Sequence, residues 1–316
     1  MSISSKFIPS LLAGAICASF ALVADVSLAS GGPSGPNVAF RSTGNIGEVI
    51  VNPFKVSPLT AVIRNGGYEI HNAVVRIVPK KDGQEIKYEV ADRQLLNYGG
   101  IPVFGLYPDY LNTVEVEYDR VYKGKTEHFK DRYQFYTAPV FFFSNGTNSQ
   151  SSTSFDVKVL KSDPAFKDRL YFINNLVRNP PDGARMVWNN PSGGALEWQY
   201  NPENAIIDST GEVRWYLLPN EDMFDQEQPY KAGIMMGFQQ TADGALTWGY
   251  GQRYVKYDIM GREVFNRRLP LRFSDYSHSM DDAQNGHFFL RVASSNYKRP
   301  DGKNVHTVRD VIAEID

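Results

Sequence analysis

The chain has 316 residues, with 33 Lys and Arg against 35 Asp and Glu, which gives a formal charge of −2. This balance argues against a nucleic-acid-binding protein, which normally carries a clustered basic excess. The composition of 42% hydrophobic and 22% charged residues excludes wholesale disorder. With 26 Gly, 18 Pro and 13% aromatic residues among runs of Val, Ile, Thr, Tyr and Phe, the chain is predicted to be all-β.

Residues 1–29 have the pattern of a secretory signal peptide. Lys6 precedes an apolar run from Phe7 to Val26, and Ser27-Leu28-Ala29 forms a cleavage site of small residues. We therefore predict a periplasmic protein with no stable membrane insertion after the signal is removed.

Two alternatives concern the same segment. A membrane anchor would need a longer unbroken apolar stretch than Pro9 and Asp25 leave. Lipidation at Cys17 would require a small residue before the cysteine, whereas Ile16 stands there. Cleavage after Ala29 leaves a chain without cysteine, so the mature fold needs no disulfide.

Residues 30–140 are predicted to form an immunoglobulin-like β-sandwich. The pair Asp82-Gly83 indicates a hairpin, and the stretch Asn112–Tyr118 alternates with period two, as expected of a strand with one buried face. Further predicted strands are Val49–Pro53, Thr60–Ile63, Ala73–Val78 and Ile86–Val90. Strands separated by turns over about a hundred residues are typical of such a sandwich. The Ser- and Asn-rich stretch Phe141–Thr153 is predicted to be a linker.

Residues 141–316 contain a repeated pattern of a strand, an Asp-x-x-Gly turn and a second strand. It occurs at Asp208 and again at Asp258, and it starts once more at Asp316. A second turn signal, Asp243-Gly244 and then Asn285-Gly286, precedes the predicted inner strand of each unit. A period of about 50 residues with four strands indicates a β-propeller blade.

We therefore expect residues 141–316 to be a partial β-propeller of about three blades, apparently truncated, since propellers usually need at least four to close. A stack of unrelated hairpins is the alternative to this reading.

Chemistry-bearing motifs are few. The sequence has no standard catalytic or phosphate-binding motif, and no metal site is expected because its five histidines lack metal-ligand spacing. His278 lies in a polar segment near a predicted inner strand, where it suits a proton donor, an anion ligand or a nucleophile. The alternative is a loop histidine bonded to water. Trp198 is either an aromatic wall for a ring-shaped substrate or a core residue between blades.

The block Phe273-Ser274-Asp275-Tyr276-Ser277-His278 resembles the bacterial arylsulfate sulfotransferase family. The resemblance runs from about Gly44 to the end of the chain and is most specific in the block ending at His278. The matching residues are Phe273-Ser274-Asp275-Tyr276-Ser277-His278, Asn285-Gly286, Leu290-Arg291-Val292, Ser295-Asn296-Tyr297, Asp301-Gly302, Thr307-Val308-Arg309-Asp310, Ile101–Tyr107 and Asp168-Arg169-Leu170-Tyr171.

This resemblance implies a periplasmic enzyme with an immunoglobulin-like domain and a six-bladed propeller. Such enzymes move a sulfuryl group from a phenolic sulfate ester to a phenol acceptor without a cofactor, by a ping-pong mechanism through a sulfo-histidine. His278 matches the family histidine that binds the sulfuryl group and handles the phenol proton, and Trp198 matches a position near the acceptor ring. The implied partners are small phenolic sulfates and phenols, and the family resemblance also implies a homodimer. No nucleic-acid partner is expected.

The family's nucleophilic histidine would lie outside this chain, so the 316-residue chain alone is expected to be inactive. Two alternatives stay open. One is a catalytically inactive fragment that binds sulfate esters, and the other is an unrelated periplasmic β-propeller scaffold in which His278 is incidental.

Overall fold

The fold is known from a computed structural model. It describes residues 41–42, 46–140, 157–178, 200–218, 236–250, 252–274, 280–283, 285–294, 296–307 and 311–316. The predicted signal peptide, the predicted linker, Trp198 and His278 lie outside the described residues.

The first part of the chain forms two antiparallel sheets that face each other, as the predicted sandwich requires. One sheet has the strand order β1-β8-β7-β4-β5, and the other has the order β2-β3-β6. Their strands are β1 (Arg41–Ser42), β2 (Val49–Val51), β3 (Thr60–Arg64), β4 (Glu69–Ile77), β5 (Ile86–Val90), β6 (Gly100–Phe104), β7 (Tyr110–Tyr122) and β8 (Lys125–Thr137). Buried Val, Ile, Leu and aromatic side chains of both sheets form one core.

The local signals in this part are confirmed. Strands β4 and β5 form the predicted antiparallel hairpin, in which Ile77 pairs with Ile86 across the Asp82-Gly83 turn. Along β7, Val114, Val116 and Tyr118 are buried, as the period-two alternation predicted. A strand in an antiparallel sheet buries every second side chain when only one of its faces meets a core.

The all-β prediction needs one correction, because the chain is nearly all-β. A seven-residue helix, α1 (Asp92–Tyr98), lies between β5 and β6. The Gln94 side chain accepts a hydrogen bond from the backbone N–H of Ala91 at 3.2 Å, which caps the start of the helix. Gly99 ends the helix in the left-handed conformation, with φ of 61°.

The described residues of the second part form three antiparallel sheets in chain order. Sheet 1 contains β9 (Leu170–Arg178), β10 (Tyr200–Asp208) and β11 (Val213–Leu217). Sheet 2 contains β12 (Met236–Gln240), β13 (Leu246–Tyr250), β14 (Arg253–Tyr257) and β15 (Glu263–Arg268). Sheet 3 contains β16 (Phe273–Ser274), β17 (Met280–Asp282), β18 (Phe288–Ser294) and β21 (Val311–Ile315), with a hairpin of β19 (Tyr297–Lys298) and β20 (Asn304–Val305) inserted before β21.

The predicted inner strands are a second correction. The strands after Asp243-Gly244 and after Asn285-Gly286 were expected to be innermost. These strands are β13 and β18. Neither is an edge strand of its sheet, because β12 and β17, which precede them in the sequence, pair with them. The short β12 carries Gly237 and no regular alternation, so its sequence lacks a strand signal.

Neighbouring sheets pack against each other through shared apolar side chains. Trp215 of sheet 1 lies in one cluster with Phe238 and Trp248 of sheet 2. Tyr254 of sheet 2 lies in another cluster with Leu290 of sheet 3. The three sheets are therefore stacked in sequence order, each using one face to cover the next.

The other face of sheet 1 packs on the sandwich. Ala205 and Tyr216 belong to the core of the sandwich, whereas their neighbours Ile206, Trp215 and Leu217 belong to the cluster shared with sheet 2. Because successive side chains of a strand point to opposite faces, sheet 1 lies between the sandwich and sheet 2.

Candidate functional site

The segment that carries His278 joins two strands that pair with the same neighbour. Strand β16 ends at Ser274 and β17 begins at Met280. Ser274 pairs with Ala293, and Met280 pairs with Leu290, so both strands run antiparallel along β18. His278 itself lies outside the described residues. The residues on either side of its segment, Ser274 and Met280, both pair with β18.

The strand after this segment is anchored on both sides. Met280 is fully buried in the cluster between sheets 2 and 3. Asp282 accepts a hydrogen bond at 3.0 Å from the backbone N–H of Ala242, which belongs to the turn before β13. Burial of Met280 and the hydrogen bond to Asp282 thus fix the strand that follows residues 275–279.

Trp198 belongs to a segment that joins two paired strands of sheet 1. It connects β9 to β10, whose first residue, Tyr200, pairs with Arg178. Trp198 stands two residues before β10 and lies outside the described residues. Tyr200 lies at the end of β10 opposite the Asp208 turn, and in sheet 3 Ser274 pairs with Ala293, away from Phe288, which pairs with Ile315.

The repeated Asp-x-x-Gly turns fold alike. The Oδ1 atom of Asp208 accepts from the backbone N–H groups of Thr210 at 2.9 Å and Glu212 at 3.1 Å. The same atom of Asp258 accepts from Met260 and Arg262, both at 3.0 Å. A short acidic side chain that bonds to its own turn explains the spacing of the repeat, so these Asp residues are structural.

Arg214, which sequence reasoning missed as a key residue, fills the contact between the sandwich and sheet 1. It is fully buried, and its Nη1 donates to Asp208 Oδ2 at 2.8 Å. Its Nη2 and Nε both donate to the carbonyl of Gly105, at 2.8 and 3.0 Å. The guanidinium also lies 3.6 Å from the ring centre of Tyr107. An arginine in the apolar run Val213–Leu217 was the available signal.

Burial governs the titration of the aromatic residues at this contact. Burial raises the pKa of Tyr107, and the nearby Arg214 partly opposes that rise. Burial also raises the pKa of Tyr98, whose hydroxyl donates to Asp258 at 2.8 Å. Both hydroxyls therefore stay neutral at physiological pH. The Tyr98 hydroxyl joins the sandwich to the Asp258 turn, whereas the Tyr107 hydroxyl donates to the carbonyl of Gln84 at 2.8 Å within the sandwich.

Three of the other histidines form contacts at the surface. His287 lies 3.0 Å from Glu314, and hydrogen bonds from Asn285 and His287 lower the pKa of that carboxyl group. His71 and His128 each contact a carboxylate on the outside of the sandwich, as their predicted surface positions imply.

Two features are absent from the described ranges. No group of three or more His, Cys, Asp and Glu side chains there has an arrangement that suits a metal ion. Of the helices in those ranges, none has the length and apolar character needed to cross a membrane.

A depression of about 280 Å³ lies elsewhere, at the Asp208 end of sheet 1. It is bordered by Val157, Lys161, Asp163, Phe166, Tyr171 and Ser209. The depression lies at the end of β10 opposite Tyr200.

Comparison with known proteins identifies both parts of the chain. Residues 156–316, just over half of the chain, match the family model described as Arylsulfotransferase (ASST). Residues 48–138 match the model described as Arylsulfotransferase Ig-like domain. The sandwich is therefore immunoglobulin-like, as predicted.

Two curated relatives are similar over nearly the whole chain. Arylsulfate sulfotransferase AssT of Lelliottia amnigena is 33% identical over 97% of the chain. The protein of the same name from Escherichia coli O6:H1 is 33% identical over 98%. In both cases the chain spans only 52% of the relative's length. Among solved structures, the alignment with virginiamycin B lyase from Staphylococcus aureus covers 87% of this chain and 84% of the lyase chain. The identity is 11% and the TM-score is 0.21, which defines no common fold.

Proposed function

The chain belongs to the arylsulfotransferase family, and on that premise we propose that the whole protein transfers a sulfuryl group from a phenolic sulfate ester to a phenol. The observation that carries the proposal is the family match over residues 156–316, which includes the segment of His278. The two curated relatives are arylsulfate sulfotransferases by name, and both are about twice as long as this chain.

We propose a β-propeller, six-bladed by the family resemblance, as the architecture that presents the site. The support is the stacking of three successive antiparallel sheets, two of them built around the same Asp-x-x-Gly turn. In a propeller the first strand of each blade lines the central channel, where ligands commonly bind. Strands β16 and β17 have that position in sheet 3, so this architecture brings His278 to the channel.

The proposed reaction has two half-reactions. In the first, a histidine nitrogen bonds to sulfur while the bond from sulfur to the donor's phenolic oxygen breaks, and the departing oxygen takes a proton. In the second, the acceptor phenol loses its proton and bonds to sulfur while the sulfur–nitrogen bond breaks. The nucleophilic histidine of this scheme lies outside residues 1–316.

His278 has a supporting role in this scheme. Sulfuryl transfer, like phosphoryl transfer, places charge on the peripheral and leaving oxygens, and cationic or proton-donating groups aimed there lower the barrier. We assign His278 to hold the sulfuryl oxygens and to exchange the phenol proton. Trp198 is proposed to pack against the acceptor ring, since an indole offers a large flat apolar face. No metal or nucleotide is required.

The cellular setting is also a proposal. We place the mature protein in the periplasm after removal of residues 1–29, and by the family resemblance we propose that it forms a homodimer.

The test is a His278→Ala variant of the whole protein, with His287→Ala as the matched control. Loss of a general acid–base or electrostatic group lowers turnover by about 10²-fold or more. His287 is a surface residue bonded to Glu314, so its removal should leave turnover of nitrophenyl sulfate with a phenol acceptor near normal. Near-normal turnover of His278→Ala, or loss of activity after chelator treatment, would overturn the proposal.

A further inference from the structure

We propose that the hairpin of β19 and β20 is a cationic arm that binds the anionic sulfate ester before its sulfuryl group is transferred. The arm consists of residues 296–307, and its cationic side chains are Lys298, Arg299 and Lys303. This inference rests on the sulfuryl transfer proposed above and adds how the sulfate donor is recruited.

The arm is attached at the residue beside which the His278 segment begins. Ser294, the last residue of β18, pairs with Phe273 of β16. The carbonyl of Ser294 accepts from the backbone N–H of Thr307 at 2.9 Å, and its own N–H donates to the Thr307 hydroxyl at 2.8 Å. The chain from Ser294 to Arg299 spans at most roughly 17 Å. The arm therefore stands next to the start of the segment that contains His278.

The arm is an addition to the repeated sheet. Asp258 follows β14 in sheet 2 and Asp316 follows β21 in sheet 3, so these two strands are equivalent. Residues 251–252 join β13 to β14, whereas residues 295–310 join β18 to β21. Because the short link is sufficient in sheet 2, the sheet itself does not require the longer one. Loops that a scaffold does not require are common places for binding residues.

The arm has a positive charge, although the chain as a whole does not. Residues 296–307 contain three cationic side chains against one carboxylate, that of Asp301, whereas the formal charge of the chain is −2. Lys298, Arg299 and Lys303 are all exposed. Exposed charges of one sign raise the local concentration of ligands with the opposite sign. A phenolic sulfate ester is an anion and a phenol is neutral at pH 7, so the arm attracts the donor and not the acceptor.

Two of these charges are placed against the stability of the hairpin. The backbone N–H of Arg299 donates to the carbonyl of Lys303 at 2.8 Å, so the two residues lie opposite each other. Like charges in opposite positions of an antiparallel pair are destabilising. The Asp301 carboxylate lies 3.8 Å from the Arg299 guanidinium, and both side chains are about half exposed, so their attraction offsets little of this repulsion.

The turn of the arm does not need an arginine. The N–H of Gly302 donates to the carbonyl of Arg299 at 2.9 Å, just as the N–H of Gly211 donates to the carbonyl of Asp208 at 3.0 Å. In that position Asp208 also stabilises its turn through its side chain, which Arg299 cannot do. A residue that breaks a local rule without a structural gain indicates a functional position. An anion bound by Arg299 and Lys303 would offset their repulsion.

The test is a double variant of the whole protein, Arg299→Gln with Lys303→Gln. Lys123→Gln with Lys125→Gln is the matched control, because it removes the same charge from another exposed turn. That turn joins β7 to β8, at the end of the larger sandwich sheet opposite Ile77, which lies near the contact with sheet 1. A second control, Arg299→Lys with Lys303→Arg, keeps both charges and should keep normal kinetics.

The expected result is a change in donor binding that salt removes. At about 10 mM ionic strength, where charges act over roughly 30 Å, kcat/KM for nitrophenyl sulfate should fall about 3- to 10-fold through a higher KM. The kcat and the kcat/KM for the phenol acceptor should stay normal, because the lost charges act only on donor binding. At about 1 M salt, where the range is roughly 3 Å, the variant and the wild-type protein should not differ.

Three outcomes in an active protein would overturn the arm alone. These are a normal donor kcat/KM of the variant at low salt, a defect that persists at 1 M salt, and an equal defect in the Lys123 and Lys125 control. Calorimetric binding of nitrophenyl sulfate to the same samples separates the arm from the proposed function. Weaker binding by the variant of a protein that transfers no sulfuryl group would refute the function and support the arm, and equal binding in such a protein would refute both.

Discussion

Replacing Arg214 by leucine should weaken the whole contact between the sandwich and sheet 1. Arg214 and Asp208 form an ion pair in which both side chains are 0% exposed. The substitution leaves the Asp208 carboxylate buried without its cationic partner, and it leaves the carbonyl of Gly105 without either of its side-chain donors. Removing one partner of a buried ion pair typically costs about 3–5 kcal/mol, and we expect a loss of that size.

The assay is urea unfolding followed by tryptophan fluorescence, since the neighbouring Trp215 is fully buried. Arg64→Leu is the matched control, because Arg64 pairs with Glu48 at 2.9 Å while both side chains are more than half exposed. Such a surface pair contributes about 0–1 kcal/mol.

A second substitution separates the buried charge from the lost packing. Asp208→Asn in the Arg214→Leu background removes the uncompensated charge and should recover part of the lost free energy of unfolding, about 1–2 kcal/mol. If Arg214→Leu costs no more than the Arg64→Leu control, the ion pair does not hold the two parts together and the reasoning fails.

Three further predictions concern the same contact and its surroundings. In urea unfolding, Gly261→Ala should lower the free energy of unfolding by about 1–3 kcal/mol more than Gly244→Ala does. Both residues have positive φ, but an added Cβ at Gly261 would lie 2.6 Å from a side-chain atom of the sandwich, whereas Gly244 has open space. Equal costs would contradict the contact. Tyr98→Phe should cost about 1 kcal/mol in the same measurement, by loss of one hydrogen bond, and no loss would mean that the bond contributes nothing. Hydrogen bonds to Glu69 and, to a smaller extent, to Asp92 raise the pKa of His71. The contribution of this histidine to the stability of the fold is therefore complete below about pH 6.5 and is lost as the pH rises through the raised pKa. His71→Gln should flatten this part of a melting-temperature profile between pH 5 and 9, and an unchanged profile would refute the assignment.

Short-range patterns were sufficient to predict individual elements. The alternation in β7 predicted its buried face, and the Asp-x-x-Gly spacing predicted the two turns that the structure contains. Both signals act within a few residues, where periodicity and turn chemistry decide the conformation. The same is true of the hairpin at Asp82-Gly83.

Contacts between distant parts of the chain were not predictable in this way. Arg214 binds Gly105, more than a hundred residues earlier, and nothing in either local sequence identifies the other. Helix α1 was missed because its seven residues are too few to show a helical period beside strong strand signals. For His278 and Trp198, the sequence supplies the resemblance and the structure supplies the strands that flank them, so their roles stay predictions.

The balance of products tests the central claim most directly. The whole protein is incubated with nitrophenyl sulfate and phenol, and mass spectrometry quantifies nitrophenol and phenyl sulfate, with no nucleotide or metal added. We predict equal amounts of the two products, because each sulfuryl group that leaves the donor reaches the acceptor. Release of nitrophenol with inorganic sulfate and without phenyl sulfate would show hydrolysis and contradict sulfuryl transfer.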